Sequence, residues 1–209
     1  MLVRKMSFVS DNAIYLPFGM VAFIDPKSNK SFTINGNDKN NVIITGGGAD
    51  CIDGGKGNDL ISAGSGEDIL VGGKGGDRLF GGSGDDSITG GDGKDVLQGG
   101  SGEDVLKGEF GNDTLIGGSG DDRLDGGEGN DRLTGDRGSD RFILSTGKDV
   151  ITDFNFKAGD KIVFSGDYFK LSQVKGNVVI NHSGGSTTLL GVSLRAFSNN
   201  RFDSIEFIA

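Results

Sequence analysis

From Thr45 to Thr152 the chain repeats one nine-residue pattern twelve times without a gap or an insertion. Its clearest copies are Gly54-Gly55-Lys56-Gly57-Asn58-Asp59-Leu60-Ile61-Ser62 and Gly126-Gly127-Glu128-Gly129-Asn130-Asp131-Arg132-Leu133-Thr134. The fourth position is Gly at every step from Gly48 to Gly147, the sixth is Asp from Asp50 to Asp149, and the eighth is Ile, Leu or Phe from Ile52 to Ile151. A fixed short period implies stacked units, none of which can bury a core alone. A flexible glycine-rich linker would not keep an aliphatic residue at every ninth position. The preceding unit, Gly36 to Ile44, keeps the apolar run Val42-Ile43-Ile44 but carries Lys39 and Asn41 where Gly and Asp belong, so it reads as a degenerate first turn.

Within each unit the Gly-Gly-x-Gly-x-Asp half is turn chemistry, because several consecutive positions must accept positive φ and close backbone approach. The remaining three residues form a short strand with one inward apolar side chain. Two units make a coil of about eighteen residues, and coils stack at the interstrand spacing of about 4.7 Å. Residues eighteen apart therefore come into register. Asp50, Asp68, Asp86, Asp104, Asp122 and Asp140 form one column, and Asp59, Asp77, Asp95, Asp113, Asp131 and Asp149 form the other.

Two unit charges about 5 Å apart repel by roughly 3 kcal/mol at an effective dielectric of 20, and each column repeats that contact at every step. A cation between coils removes the conflict. Carboxylates on neighbouring coils, beside carbonyls freed by glycine, supply the six to eight hard oxygens that calcium takes, whereas magnesium demands stricter octahedral geometry and retained water. No Cys or His recurs in the repeat, which argues against zinc or copper. One buried aliphatic side chain per nine residues is a thin core, so the metal-free chain is expected to be largely disordered, with metal binding as the folding event.

The repeat resembles the RTX, or hemolysin-type, calcium-binding nonapeptide, a pattern known to form a calcium-binding β-helix. The resemblance implies an all-β fold, a parallel β-roll with two strands per 18-residue turn and short β caps at both ends. It also implies calcium between successive turns and export by a type I secretion machine into the surroundings of a bacterial cell, and full aspartate columns would give about ten such calcium sites. The expected division is an N-terminal β cap at 1–35, the roll at 36–152, and a C-terminal β cap with a secretion signal at 153–209.

Net charge is −9, and 22 acidic against 10 basic residues fall within 36–143, leaving 8 against 11 elsewhere. The acidity thus belongs to the repeat, which makes nucleic acid an unsuitable partner. Cys51 is the single cysteine, so no internal disulfide can form. No run of eighteen apolar residues exists, and no membrane span is expected. The segment Ala13 to Ile24 follows Arg4 and Lys5 as a signal peptide would, but Pro17 and Gly19 interrupt it and no small-x-small cleavage site follows.

At the N-terminus, apolar runs at Met6 to Val9, Ala13 to Leu16 and Met20 to Ile24, then the turn Asp25 to Lys30 and the run Ser31 to Ile34, predict short strands with a hairpin. This segment is expected to cap the first coil and cover an outward apolar strip of Val42, Ile44, Leu60 and Phe80. After Thr152 the nine-residue phase is lost, and Asp153, Asp160 and Asp167 punctuate turns. A hairpin is predicted from Asn177 to Asn181 and Thr187 to Val192, joined by Ser183-Gly184-Gly185-Ser186. The tail resembles the cap that follows such repeats, with Asp153-Phe154 and Leu189-Leu190-Gly191-Val192. Its ending, Glu206-Phe207-Ile208-Ala209, resembles an uncleaved type I secretion signal, with a final edge strand as the alternative.

Catalytic chemistry finds no support in these residues. His182 is the lone histidine, so no HExxH motif can be built, and Gly-x-Ser-x-Gly never occurs. Pairs such as Asp85-Asp86, Glu103-Asp104 and Asp121-Asp122 arise from the repeat's fifth and sixth positions. The expected protein is not an enzyme but a secreted calcium-binding RTX protein with a structural or secretion and folding role. The alternative is a calcium-dependent module for an anionic, alginate-like polysaccharide, or an accessory module of a secreted enzyme. Its motive is the outward cluster Lys107, Arg123, Arg141 and Arg132, which could instead pair with Asp121, Asp125 or Asp136.

Overall fold

The computed structural model describes residues 13–15, 22–164, 169–197, 199 and 205–207. They form a parallel β-solenoid of about eight turns, built as two ladders that alternate along the chain. One ladder runs Ala13–Tyr15, Thr33–Asn37, Cys51–Lys56, Ile69–Lys74, Ser87–Gly93, Val105–Gly111, Arg123–Asp125, Arg141–Ile143, Lys161–Phe164 and Ile205–Phe207. The other runs Ala22–Ile24, Val42–Ile44, Leu60–Ser65, Arg78–Ser83, Val96–Ser101, Thr114–Ser119, Arg132–Arg137, Thr146–Ile151 and Gly185–Leu189.

Through the repeat the register is the eighteen-residue one, as in Cys51 against Ile69 and Val96 against Thr114. At both ends two extra residues enter: Ala13 faces Thr33, Ala22 faces Val42, and Arg141 faces Lys161. Strands alternate sharply because their period is two. Ile52, Leu70, Ile88, Leu106 and Leu124 point inward from one ladder, and Ile61, Leu79, Leu97, Leu115 and Leu133 from the other, all with at most 1% exposure. The flanking positions face out, among them Cys51 and Ile69.

The N-terminal segment corrects the hairpin expectation. Ala13–Tyr15 and Ala22–Ile24 pair in parallel with the next strands of their own ladders, so they add a further coil instead of folding back. Residues 1–12 and 16–21, on which the rest of the expected cover falls, lie outside the described residues. Val42, Leu60, Ile44 and Phe80 do share one ladder and are half-buried.

At the C-terminal end Phe169–Val174, Asn177–His182 and Gly185–Leu189 form an antiparallel meander whose last strand docks parallel on Thr146–Ile151. The predicted hairpin is present, tightened so that His182 faces Gly185. Lys175 and Gly176, both at positive φ, make the other turn. Phe142, Phe154, Phe156 and Phe197 form a chain of ring contacts with centroids 6.0, 5.1 and 5.8 Å apart, closing the core. Ile205–Phe207 pairs with Ile162–Phe164 as a strand of the roll. The rest of the signal-like ending, Ile208 and Ala209, lies outside the described residues.

The second position of the repeat needs a left-handed backbone, as at Gly55 with φ 97° and Gly73 with φ 107°. Glu109 and Asp136 occupy it with side chains, at φ 75° and 68°. A left-handed non-glycine residue costs about 1–2 kcal/mol. Glu109→Gly and Asp136→Gly should therefore each stabilise the folded protein by about 1 kcal/mol in chemical denaturation, whereas Leu106→Ala should cost about 2–5 kcal/mol by opening a cavity in a core one side chain thick.

Candidate metal-binding columns

Each turn delivers its aspartate just before the following strand begins, so strand pairing holds the aspartates in register. All twelve candidates, Asp50, Asp59, Asp68, Asp77, Asp86, Asp95, Asp104, Asp113, Asp122, Asp131, Asp140 and Asp149, are at most 2% exposed. They lie between coils and not in bulk water.

Their two oxygens have different partners. Oδ1 accepts the backbone N–H of the aspartate one coil earlier: Asp50 donates to Asp68, Asp68 to Asp86 and Asp104 to Asp122 at 2.7, 2.8 and 2.8 Å. The second column repeats this, with Asp59 donating to Asp77 at 2.6 Å and Asp95 to Asp113 at 2.8 Å. The carboxylate ladder expected from the sequence is thus partly neutralised by backbone dipoles. Asn41, in the degenerate unit, joins the column by donating its N–H to Asp59 Oδ1 at 2.6 Å.

Oδ2 is left over. In ten of the twelve, from Asp50 through Asp131, it is buried without a hydrogen-bond partner. Unpaired buried charge of this kind is costly, and here it recurs at every coil. The first glycine of the repeat keeps the adjoining space open. A Cβ built on Gly72 would lie 2.5 Å from Asp77 Oδ2 and 2.6 Å from the carbonyl oxygen of Gly90, and on Gly90 it would lie 2.5 Å from Asp95 Oδ2 and 2.9 Å from the carbonyl of Gly108. Carboxylate and carbonyl oxygens of adjacent coils therefore converge on the gap that glycine leaves. Among the described residues no three carboxylate, imidazole or thiol groups converge on one point, so any ion held here takes much of its coordination from backbone oxygens. All are hard donors, which fits calcium.

Burial raises the carboxyl pKa values, and neighbouring carboxylates add to the rise against the lowering effect of the N–H bonds. Asp86, Asp113, Asp122 and Asp149 are raised to about 7, and Asp59, Asp68, Asp95 and Asp140 to about 6. Sequence reading missed Asp160, which follows Asp140 in its column at 4% exposure and accepts the Asp140 N–H at 3.2 Å. The two-residue insertion put it out of phase, although Asp160-Lys161-Ile162 keeps the aspartate and aliphatic spacing.

The other candidates are placed as follows. Arg123, Arg141 and Lys161 stack in one outward row, with Lys107 beside Asp125. Arg141 Nε bonds Glu206 Oε2 at 3.1 Å. Salt bridges to Asp121, Asp125 or Asp136 do not form among the described residues, but Arg123 and Lys107 are near enough to counter part of the burial that raises Asp125. His182 is buried in the cap, its Nε2 3.3 Å from Thr187 Oγ1 and its ring against Phe164, and burial lowers its pKa.

Four copies of the RTX calcium-binding nonapeptide repeat match at residues 33–61, 62–97, 89–124 and 107–151, together more than half of the chain. The chain belongs to the RTX calcium-binding repeat family. Among solved structures, this RTX chain is similar to the extracellular lipase LipA from Serratia marcescens, with a TM-score of 0.51 and 25% identity. The match covers 88% of the present chain and 40% of the lipase chain. No curated protein sequence matches it.

The raised carboxyl groups give the metal-free roll a definite pH dependence. A carboxyl whose folded pKa exceeds its unfolded value near 3.8 binds protons more tightly when folded, so its contribution is complete below that value and is lost as pH rises through about 6–7. In metal-stripped buffer, far-UV circular dichroism should show more strand at pH 5 than at pH 8. Calcium affinity should fall over the same interval, as protons compete for the same oxygens.

Proposed function

We propose that this is a secreted calcium-binding RTX protein that becomes compact when several calcium ions, about ten, enter between its coils, and that its role is structural or in folding and secretion. The observation that carries the reading is the recurrence of a buried, unpartnered Oδ2, beside a first-glycine gap in every turn except those of Asp50 and Asp68 and, at Asp59, Asp77, Asp95 and Asp113, also beside a glycine carbonyl from the next coil. Asp50, Asp59, Asp68, Asp77, Asp86, Asp95, Asp104, Asp113, Asp122 and Asp131 supply these oxygens. Asp140 retains the gap at Gly135, while Leu144 stands at the first position of the turn that ends in Asp149. Bound calcium supplies charge neutralisation. The chain's own residues hold the donors in register through strand pairing and the N–H to Oδ1 bonds.

Extracellular calcium is commonly millimolar and cytosolic calcium far lower, so an ion-dependent fold suits export of an extended chain that folds outside. Calorimetric titration with strand content followed in parallel tests the reading. Strand content should rise with calcium and saturate near ten ions, and Asp86→Asn with Asp95→Asn should lower both the number bound and the midpoint of thermal unfolding. Equal strand content in excess chelator and in millimolar calcium at pH 8 would remove it.

A second reading has one specific observation behind it. The row Arg123, Arg141 and Lys161 repeats cations at the coil spacing of about 4.7 Å, a periodic positive charge complementary to a linear polyanion. Binding to alginate in 150 mM salt that falls in Arg123→Ala with Arg141→Ala supports that role, and no binding to the unmodified protein rejects it.

A further inference from the structure

The metal columns end differently from the way they run. Asp160 is 4% exposed, yet both its oxygens are taken: Oδ1 accepts the N–H of Asp140 at 3.2 Å and Oδ2 accepts the N–H of Asn155 at 2.8 Å. Asp153 has the same character on the same side of the roll. It stands eighteen residues after Gly135, where the first glycine of another repeat would be, and its Oδ1 and Oδ2 accept the N–H groups of Gly135 and Asp136 at 3.1 and 2.7 Å. In the other column Asp149 accepts the Asp131 N–H on Oδ1, and its Oδ2 lies 3.4 Å from Ser145 Oγ. Its first-position glycine is replaced by the buried Leu144. Asp50 through Asp131, by contrast, each leave one buried oxygen without a partner.

We propose that Asp160 and Asp153 are metal-free terminators, which close the calcium ladder with backbone N–H donors in place of an ion and give the last coil a calcium-independent joint to the cap. This rests on the calcium reading above and extends it to where the ions stop. The N–H groups that engage both oxygens of Asp160 offset part of the cost of burying its charge, so an ion adjoining it must displace bonds already made. The joint lies against the Phe142, Phe154 and Phe156 contacts, which give this end apolar packing that the interior coils lack. The final coil can thus present a formed edge to an upstream coil that still awaits metal.

Calcium binding to the metal-stripped full chain, counted by equilibrium dialysis, separates the outcomes. Asp86→Asn, in the middle of the same column, should bind at least one ion fewer than the unmodified protein. Asp160→Asn should bind the unmodified number, with its calcium midpoint raised about 2- to 10-fold because the cap has lost a hydrogen-bond acceptor. An ion lost in Asp160→Asn, as in Asp86→Asn, would make Asp160 a ligand and overturn the proposal. If the unmodified protein bound no calcium, the calcium reading itself would fail. Should Asp160→Asn not fold, hydrogen exchange on the unmodified chain decides. Without calcium the Asn155 amide should stay protected while those of Asp50, Asp68 and Asp86 exchange, and equal loss at all four counts against a metal-free joint.

Discussion

The roll depends on the division of labour within one carboxylate. One oxygen of each repeat aspartate is committed to the backbone N–H of the coil before it, fixing register at every step. The other is buried beside a glycine gap with no protein partner. Hydrogen bonding thus places the charge, and the same placement leaves that charge unsatisfied. A sequence that buries one aliphatic side chain per strand cannot absorb such a conflict through its core, so structure and ion become a single equilibrium.

Glycine serves the arrangement in two distinct ways. At the second position it supplies a left-handed backbone, which Glu109 and Asp136 show can be borne by other residues at a cost. At the first position it supplies absence. A side chain at Gly72 or Gly90 would fill the space toward which carboxylate and carbonyl oxygens turn. Thr45 and Ala63 occupy that position in the opening coils, where Thr45 Oγ1 bonds the Ala63 carbonyl at 2.7 Å. The requirement is therefore relaxed near the start and strict through the middle.

Much of this was legible in the sequence because the period is rigid. A nine-residue phase fixes the eighteen-residue register, and register fixes which aspartates share a column and which aliphatic residues share the core. Legibility failed where the phase slipped. The segment before Thr33, whose turn residues suggested a hairpin, runs instead as another parallel coil lengthened by two residues, since strand direction depends on the path of the connection and not on the strand residues. Two extra residues after Arg141 hid Asp160 from a count by nines. The Oδ1 bonds were also invisible, because a periodicity says which residues neighbour one another but not which atom of a carboxylate meets which amide.

The column bonds all run one way along the chain, from an amide to a carboxylate one coil later. Any cut across the solenoid would consequently leave column carboxylates without their amides on one face and column amides without their carboxylates on the other. Such faces are complementary in a head-to-tail sense, the geometry that yields open filaments when nothing blocks it. Capping elements on a molecule of this type thus have a second duty besides completing the core: they keep one protomer from serving as the template for the next.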